Sequence, residues 1–202
     1  MMSNYHIRKK AREILGKRIF DESWDYPIYI MIFVIIVSSL LSATMVGNLI
    51  VSGLFSVAIA RYFLYRVRKE IAPNNVTASL DGIRRNFLGS MLTGILYNVF
   101  VAIGFFLLIV PGIIFNLSFS MAYYIINDHP DMSAMEALRE SHRLMKGHRT
   151  EYFCLQLSFI GWMLVGVLTL GIGTLWVSTY MNTANAVFYD ELIAHKGIHN
   201  QE

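Results

Sequence analysis

The chain has 202 residues, of which 55% are hydrophobic and only 15% are charged, with a formal net charge of +3. Soluble domains carry about 25% charged residues, so this composition is typical of a membrane protein and excludes an ordinary soluble enzyme domain. The single Cys154 excludes an intrachain disulfide and a cysteine-rich zinc cluster.

Three long stretches contain no charged residue, and each is about two membrane spans long: 26–60, 86–127 and 152–189. A spanning helix needs about 20 apolar residues, because each residue rises about 1.5 Å through a core about 30 Å thick. Helix-breaking residues lie near the middle of each stretch: Gly47, Pro111-Gly112, and Gly171 with Gly173. The pattern predicts an all-α polytopic bundle of six transmembrane helices arranged as three hairpins. The first apolar stretch is longer than the apolar part of a cleaved signal peptide, so we do not expect one.

In chain order, the predicted organisation is one membrane domain with short cytoplasmic pieces between the hairpins. The spans are predicted at 27–46, 49–66, 88–109, 112–127, 152–170 and 173–190, with a re-entrant segment around 47–53 as the alternative to a full second span. The elements are an amphipathic segment 1–25, hairpin 27–66, linker 67–87, hairpin 88–127, amphipathic helix 128–151, hairpin 152–190 and tail 191–202.

The basic residues predict the orientation. All 17 Lys and Arg lie in the polar pieces or at span ends, and with six spans these pieces share one side of the membrane. Short loops rich in Lys and Arg stay in the cytoplasm, so both termini are expected there. Five or seven spans would place some basic clusters outside.

The segment 133–147 predicts a helix on the membrane surface. Ser133 and Glu136 have the spacing of a capping box, and Gly147 suits the residue that ends a helix. The expected apolar face comprises Met132, Met135, Leu138, His142 and Met145, and the candidate contacts to lipid head groups are Arg139, Arg143 and Lys146. The alternative is a connector whose charges are simply solvated.

Neutral polar residues mark the last predicted span. Ser178, Asn182, Asn185 and Tyr189 recur at helical spacing, and they predict either a polar cavity or hydrogen bonds between helices. A second stripe of small residues on the second span is expected to be a packing seam: Asn48, Ser52, Ser56 and Ala60.

Motifs for chemistry are scarce. Apart from Arg61 and residues at span ends, the spans hold no ionisable side chain, which argues against an ion-coupled carrier. His129, His142 and His148 lie in one piece without spacing typical of a metal site. We expect no enzyme activity, no cofactor, no metal and no nucleic-acid partner.

One segment resembles a known family. The run from Ser141 to His148, followed by Phe153, Leu155, Leu157 and the string from Ser158 to Trp162, resembles domain-of-unknown-function family 975. The opening Ala11-Arg12-Glu13 with Leu15, the turn Pro111-Gly112-Ile-Ile and the end of the last helix at Tyr189 are similar too. The resemblance implies a bacterial multi-spanning membrane protein and supplies no substrate, cofactor or catalytic residue.

The function expected from these features is that of an accessory or structural protein in the bacterial inner membrane. Its expected partners are lipids, with other membrane proteins or further copies of the chain as additional ones. The alternative is a passive transporter, channel or lipid-handling protein that uses the polar face at 178–189.

Overall fold

The computed structural model describes residues 3–15, 28–32, 35–36, 45–68, 87–107, 109–169 and 171–199, and every structural statement below concerns these residues. Almost all of them are helical, and none forms a strand. The delimited helices are α1 (Asn4–Leu15), α2 (Met45–Val67), α3 (Phe87–Leu107), α4 (Ile109–Phe119), α5 (Ala122–Asp128), α6 (Ala134–Met145), α7 (Arg149–Leu168) and α8 (Ile172–His199). The predicted all-α class is confirmed.

Three segments of the described chain are long and apolar enough to cross a membrane: Phe87–Phe106, Val110–Asp128 and Arg149–Leu168. They correspond to three of the predicted spans. The total of six spans and their pairing as hairpins remain predictions. Most of the predicted first span, 27–46, and most of the linker 67–87 lie outside the described residues.

The break predicted at Pro111-Gly112 lies a few residues earlier in the structure, because α3 ends at Leu107 and α4 begins at Ile109. Gly47 lies inside α2, which is continuous from Met45 to Val67, so the chain does not re-enter within that helix. Pro111 is the third residue of α4, where a missing backbone N–H costs nothing because the first turn of a helix has no acceptor for it. Gly171 does lie between α7 and α8, with a φ of +85° that favours glycine.

The described residues form two compact units. The first comprises α1, the end of α2 from Tyr62, and the helices α7 and α8. The amphipathic α1 packs on α8, and its Ile7, Ala11 and Leu15 are fully buried. Aromatic pairs join α7 to α8, with ring centroids 5.0 Å apart for Tyr152 and Phe188 and 5.1 Å apart for Phe159 and Tyr180.

The second unit comprises α2 up to Arg61 and the helices α3 to α6. Helices α2 and α3 cross closely where two glycines meet, because a Cβ placed on Gly53 would lie 2.7 Å from the Cα of Gly94. Such contact between backbones is what small residues permit in membrane helices. This contact is made by Gly53, which is not one of the four stripe residues, and the side chains of Asn48 and Ser52 lie outside the described residues, so the packing seam stays a prediction.

Helix α6 begins as predicted. Ser133 Oγ accepts from the Glu136 N–H, and the Glu136 carboxylate accepts from the Ser133 N–H at 2.8 Å, which completes the capping box. Gly147 follows the helix with a φ of +92°.

The predicted apolar face of α6 is partly wrong. Leu138 and Met145 are buried, but Met135 and His142 are exposed. The buried side instead includes three small residues, Ala134, Ala137 and Ser141. These small side chains lie on the side of α6 that packs on its neighbours α3, α4 and α5, whereas Met135 is exposed.

Candidate functional site

The polar residues of α8 are largely occupied by hydrogen bonds of the helices themselves. Ser178 Oγ donates to the Leu175 carbonyl at 3.0 Å, and Asn182 Nδ2 donates to the Ser178 carbonyl at 2.8 Å. Asn185 reaches the neighbouring helix, since its Oδ1 accepts from Gln156 Nε2 at 2.8 Å. Tyr189 is buried. The bond at Asn185 is a hydrogen bond between helices, which is one of the two interpretations of this polar face.

A second polar stripe on α8 was missed. Thr179 and Thr183 are fully buried, and Thr183 Oγ1 donates to the Thr179 carbonyl at 2.9 Å. Thr179 Oγ1 is buried and makes no hydrogen bond with the described residues. The signal was in the sequence, since these two threonines also recur four residues apart, one position after Ser178 and Asn182.

Basic and acidic residues join α1 and α2 to the last helix. Lys10 Nζ lies 3.1 Å from Glu191 Oε1, and Arg68 Nε lies 2.9 Å from Asp190 Oδ1. The Tyr180 hydroxyl donates to the Arg8 carbonyl at 3.1 Å. The acidic pair that ends the last uncharged stretch is thus matched by cations of the same unit.

The predicted lipid-contacting residues of α6 are all exposed: Arg139, Arg143 and Lys146. Arg143 forms an ion pair within α6, because its Nε and Nη2 donate to the two carboxylate oxygens of Glu140 at 2.8 and 2.6 Å. These hydrogen bonds and the charge of Glu140 raise the pKa of Arg143. An exposed ion pair of this kind contributes little stability, but it reduces the positive charge that Arg143 can offer to an anionic head group.

A cleft of about 640 Å³ lies between the end of α5, the following loop and α6. Its lining includes four carboxylates, two guanidinium groups and one imidazole. The lining residues are Asp128, His129, Pro130, Asp131, Met132, Glu136, Arg139, Glu140 and Arg143. The sequence does not predict this cluster of acidic residues, because nothing in their spacing shows that the loop folds back beside α6.

The carboxylate of Glu136 is fixed in this lining. It accepts from both the backbone N–H and the hydroxyl of Ser133, each at 2.8 Å. Hydrogen bonds to the charged form favour it, so they lower the pKa of Glu136. This carboxylate is therefore ionised over the whole neutral range.

Ser141 ties α6 to the junction between α4 and α5. Its buried hydroxyl donates to the Ser118 carbonyl at 2.8 Å and accepts from the Met121 N–H at 3.2 Å. Two backbone groups that the helix break would leave unpaired are thus satisfied by one side chain. Ser118 and Met121 belong to the candidate span Val110–Asp128, so this hydroxyl connects that segment to the helix that lines the cleft.

The comparisons with known proteins agree with the sequence resemblance in its central and C-terminal part. The model of a family described as "Protein of unknown function (DUF975)" matches residues 95–196. This range includes Pro111-Gly112, the run from Ser141 to Trp162 and Tyr189, and it leaves out the opening around Ala11. No curated protein and no solved structure matches the chain. The chain belongs to the DUF975 family.

Proposed function

We propose that this chain is an accessory or structural membrane protein that binds lipids and other membrane components and catalyses no reaction. In the proposed topology it crosses a bacterial inner membrane six times, with both termini in the cytoplasm. The basic residues between the spans support this orientation.

The observation that carries the proposal is the outer surface of α7. Large apolar side chains cover it, and Leu168 is 82% exposed while Leu164 and Val167 are each more than 60% exposed. A water-soluble protein rarely exposes a continuous apolar surface of this kind, whereas lipid chains or a partner helix would cover it. The same helix is one of the candidate spans, and the exposed face of α3 repeats the pattern with Phe87, Leu88 and Phe106.

Purification from its own membrane in a mild detergent, followed by native mass spectrometry, tests this role. We expect the chain to retain phospholipids or to co-purify with a membrane protein or a second copy. Recovery of a delipidated, partnerless monomer under conditions that keep other membrane complexes intact would contradict the proposal.

Labelling with a thiol reagent that cannot cross the bilayer tests the topology. In a Cys154→Ser background, Leu168→Cys lies beside the proposed outer turn and Lys146→Cys lies on the proposed cytoplasmic side. In intact cells the first variant should react and the second should react only after lysis. Reaction of Lys146→Cys in intact cells would contradict the proposed topology.

A passive transporter or lipid-handling protein is the second candidate function. The buried Thr179 hydroxyl, which lies beside the Asn182 face and has no hydrogen-bond partner among the described residues, favours it. Such a hydroxyl is a candidate group for a passing polar solute. If Asn182→Leu with Asn185→Leu leaves solute permeation and lipid scrambling in proteoliposomes unchanged while the fold survives, this function is excluded.

A further inference from the structure

The cleft beside α6 lies at a defined depth relative to a candidate span. Asp128 is both the last residue of the segment Val110–Asp128 and part of the cleft lining. The apolar residues of a span lie in hydrocarbon, and the polar residues that follow lie at the level of the head groups. In the proposed membrane arrangement, the cleft therefore opens at the level of lipid phosphates. It is a shallow cleft that is open to its surroundings over much of its extent, with a volume of about 640 Å³.

The charges of the cleft do not match a simple anion. Four carboxylates face two guanidinium groups, so the lining is net negative when His129 is counted as neutral. One guanidinium, that of Arg143, is already held by Glu140 at 2.6 Å. An anionic head group would meet an excess of like charge here, and like charges placed together are disfavoured.

The same lining includes two groups of opposite charge that belong to different elements of the chain. Asp131 belongs to the loop after α5 and is exposed, and Arg139 belongs to α6 and is exposed as well. A carboxylate accepts hydrogen bonds from a primary ammonium, and a guanidinium donates a bidentate pair to a phosphate. The cleft thus presents an acceptor for a cation and a donor for an anion within one small volume.

We propose that this cleft binds a phosphoammonium zwitterion, in which a primary ammonium is joined to a phosphate by a short linker. Asp131 receives the ammonium, and Arg139 receives the phosphate. The source consistent with the depth of the cleft is the head group of an aminophospholipid, and in this form the inference rests on the proposed lipid-binding function. Free phosphoethanolamine has the same chemistry, and the experiment separates the two sources.

The chemistry predicts an order of preference among head groups. Phosphatidylethanolamine carries both required groups. Phosphatidylcholine keeps the phosphate, but its quaternary ammonium has no N–H to donate to Asp131. Phosphatidylglycerol lacks the cation altogether and meets the acidic lining. We therefore expect retention in the order phosphatidylethanolamine, phosphatidylcholine, phosphatidylglycerol.

The test uses the full chain in detergent with equal amounts of the three lipids, and native mass spectrometry counts the lipids that stay bound. We expect at least fivefold more phosphatidylethanolamine than phosphatidylglycerol on the unmodified protein. Asp131→Asn and Arg139→Gln should each reduce this preference at least fivefold. Glu13→Gln and Lys9→Gln, both on α1 and outside the cleft, are matched exposed controls, and they should change it less than twofold. Retained helical circular dichroism shows that each variant is folded.

Several results would overturn the inference, and they differ from those that would overturn the proposed function. Equal retention of all three lipids, or a preference that neither cleft variant reduces, excludes the site but leaves a lipid-binding membrane protein. If the unmodified protein retains no lipid at all, both the proposed site and the proposed lipid-binding function are excluded. Calorimetric binding of free phosphoethanolamine, reduced by the same two variants and without lipid preference, would support the site and assign it to a soluble zwitterion.

Discussion

Gln156 on α7 donates a 2.8 Å hydrogen bond from its Nε2 to the Oδ1 of Asn185 on α8. Both side chains are partly buried, and they join two helices that otherwise meet through aromatic and small residues. Ser178 and Asn182 donate hydrogen bonds within α8, whereas the Asn185 side chain accepts one from a different helix. The bond fixes the register of α7 against α8.

Removal of this bond should modestly destabilise the packing of α7 on α8. Hydrogen bonds between membrane helices contribute on average about 0.6 kcal/mol. A double-mutant cycle of Gln156→Leu and Asn185→Leu, measured by unfolding in mixed detergent, should give a coupling free energy of that order. Asn182→Leu, whose amide bonds within its own helix, should show no coupling to Gln156→Leu. A coupling of zero between positions 156 and 185 would mean that the contact does not hold the helices together.

The glycine contact between α2 and α3 should tolerate no added methyl group. A Cβ on Gly94 would meet the backbone of Gly53, which cannot move aside as a flexible side chain does. We expect Gly94→Ala to destabilise the fold by about 1–3 kcal/mol, the usual cost of overpacking. Gly161→Ala is the matched control, because nothing lies within 4 Å of its added Cβ. That variant should be neutral or more stable by up to about 1 kcal/mol, since alanine favours helix. Equal effects of the two variants in a thermal unfolding assay would contradict the close crossing.

The sequence predicted local structure well wherever one short pattern determines it. The capping box at Ser133 and the positive φ at Gly147 and Gly171 follow from side-chain chemistry within a few residues. The helical class follows from long uncharged stretches that must satisfy their backbone groups internally. The buried face of α6 was only half predicted, because hydrophobicity alone ranks Met135 above Ala137, whereas close helix packing reverses the order.

The tertiary relationships could not be read from spacing. Lys10 and Glu191 lie 181 positions apart, and the pairing depends on α1 folding onto α8. The cleft beside α6 needs the loop at Asp131 to lie against Arg139, which no periodicity encodes. The break near Pro111 was predicted a few residues too late, since a proline is compatible with the first turn of a helix.

The capping box gives α6 a pH-dependent stability of known sign. The pKa of Glu136 is lowered in the folded state, so this carboxylate contributes stability above its unfolded pKa and loses that contribution as the pH falls through its folded pKa. The midpoint of unfolding should fall on acidification, and Glu136→Gln should flatten this dependence while it keeps a capping acceptor. Ser133→Ala should cost about 1 kcal/mol at neutral pH. An unchanged pH profile in Glu136→Gln would show that the acidic dependence comes from another carboxylate.

Ser141 should matter more than any other hydroxyl described above, because it is buried and serves two backbone groups at once. Ser141→Ala leaves the Met121 N–H and the Ser118 carbonyl without this partner, and an unsatisfied buried group costs about 1–3 kcal/mol. Ser120→Ala is the control, since its half-buried hydroxyl bonds only to the Leu117 carbonyl. Hydrogen exchange followed by mass spectrometry should show faster exchange at residues 118–122 in Ser141→Ala and little change in Ser120→Ala.

The same substitution should affect the cleft. Because Ser141 also anchors α6, the lipid preference of the cleft should weaken in Ser141→Ala even though Asp131 and Arg139 are intact. A variant that exchanges faster at 118–122 but keeps its full lipid preference would show that the cleft holds its shape without this anchor.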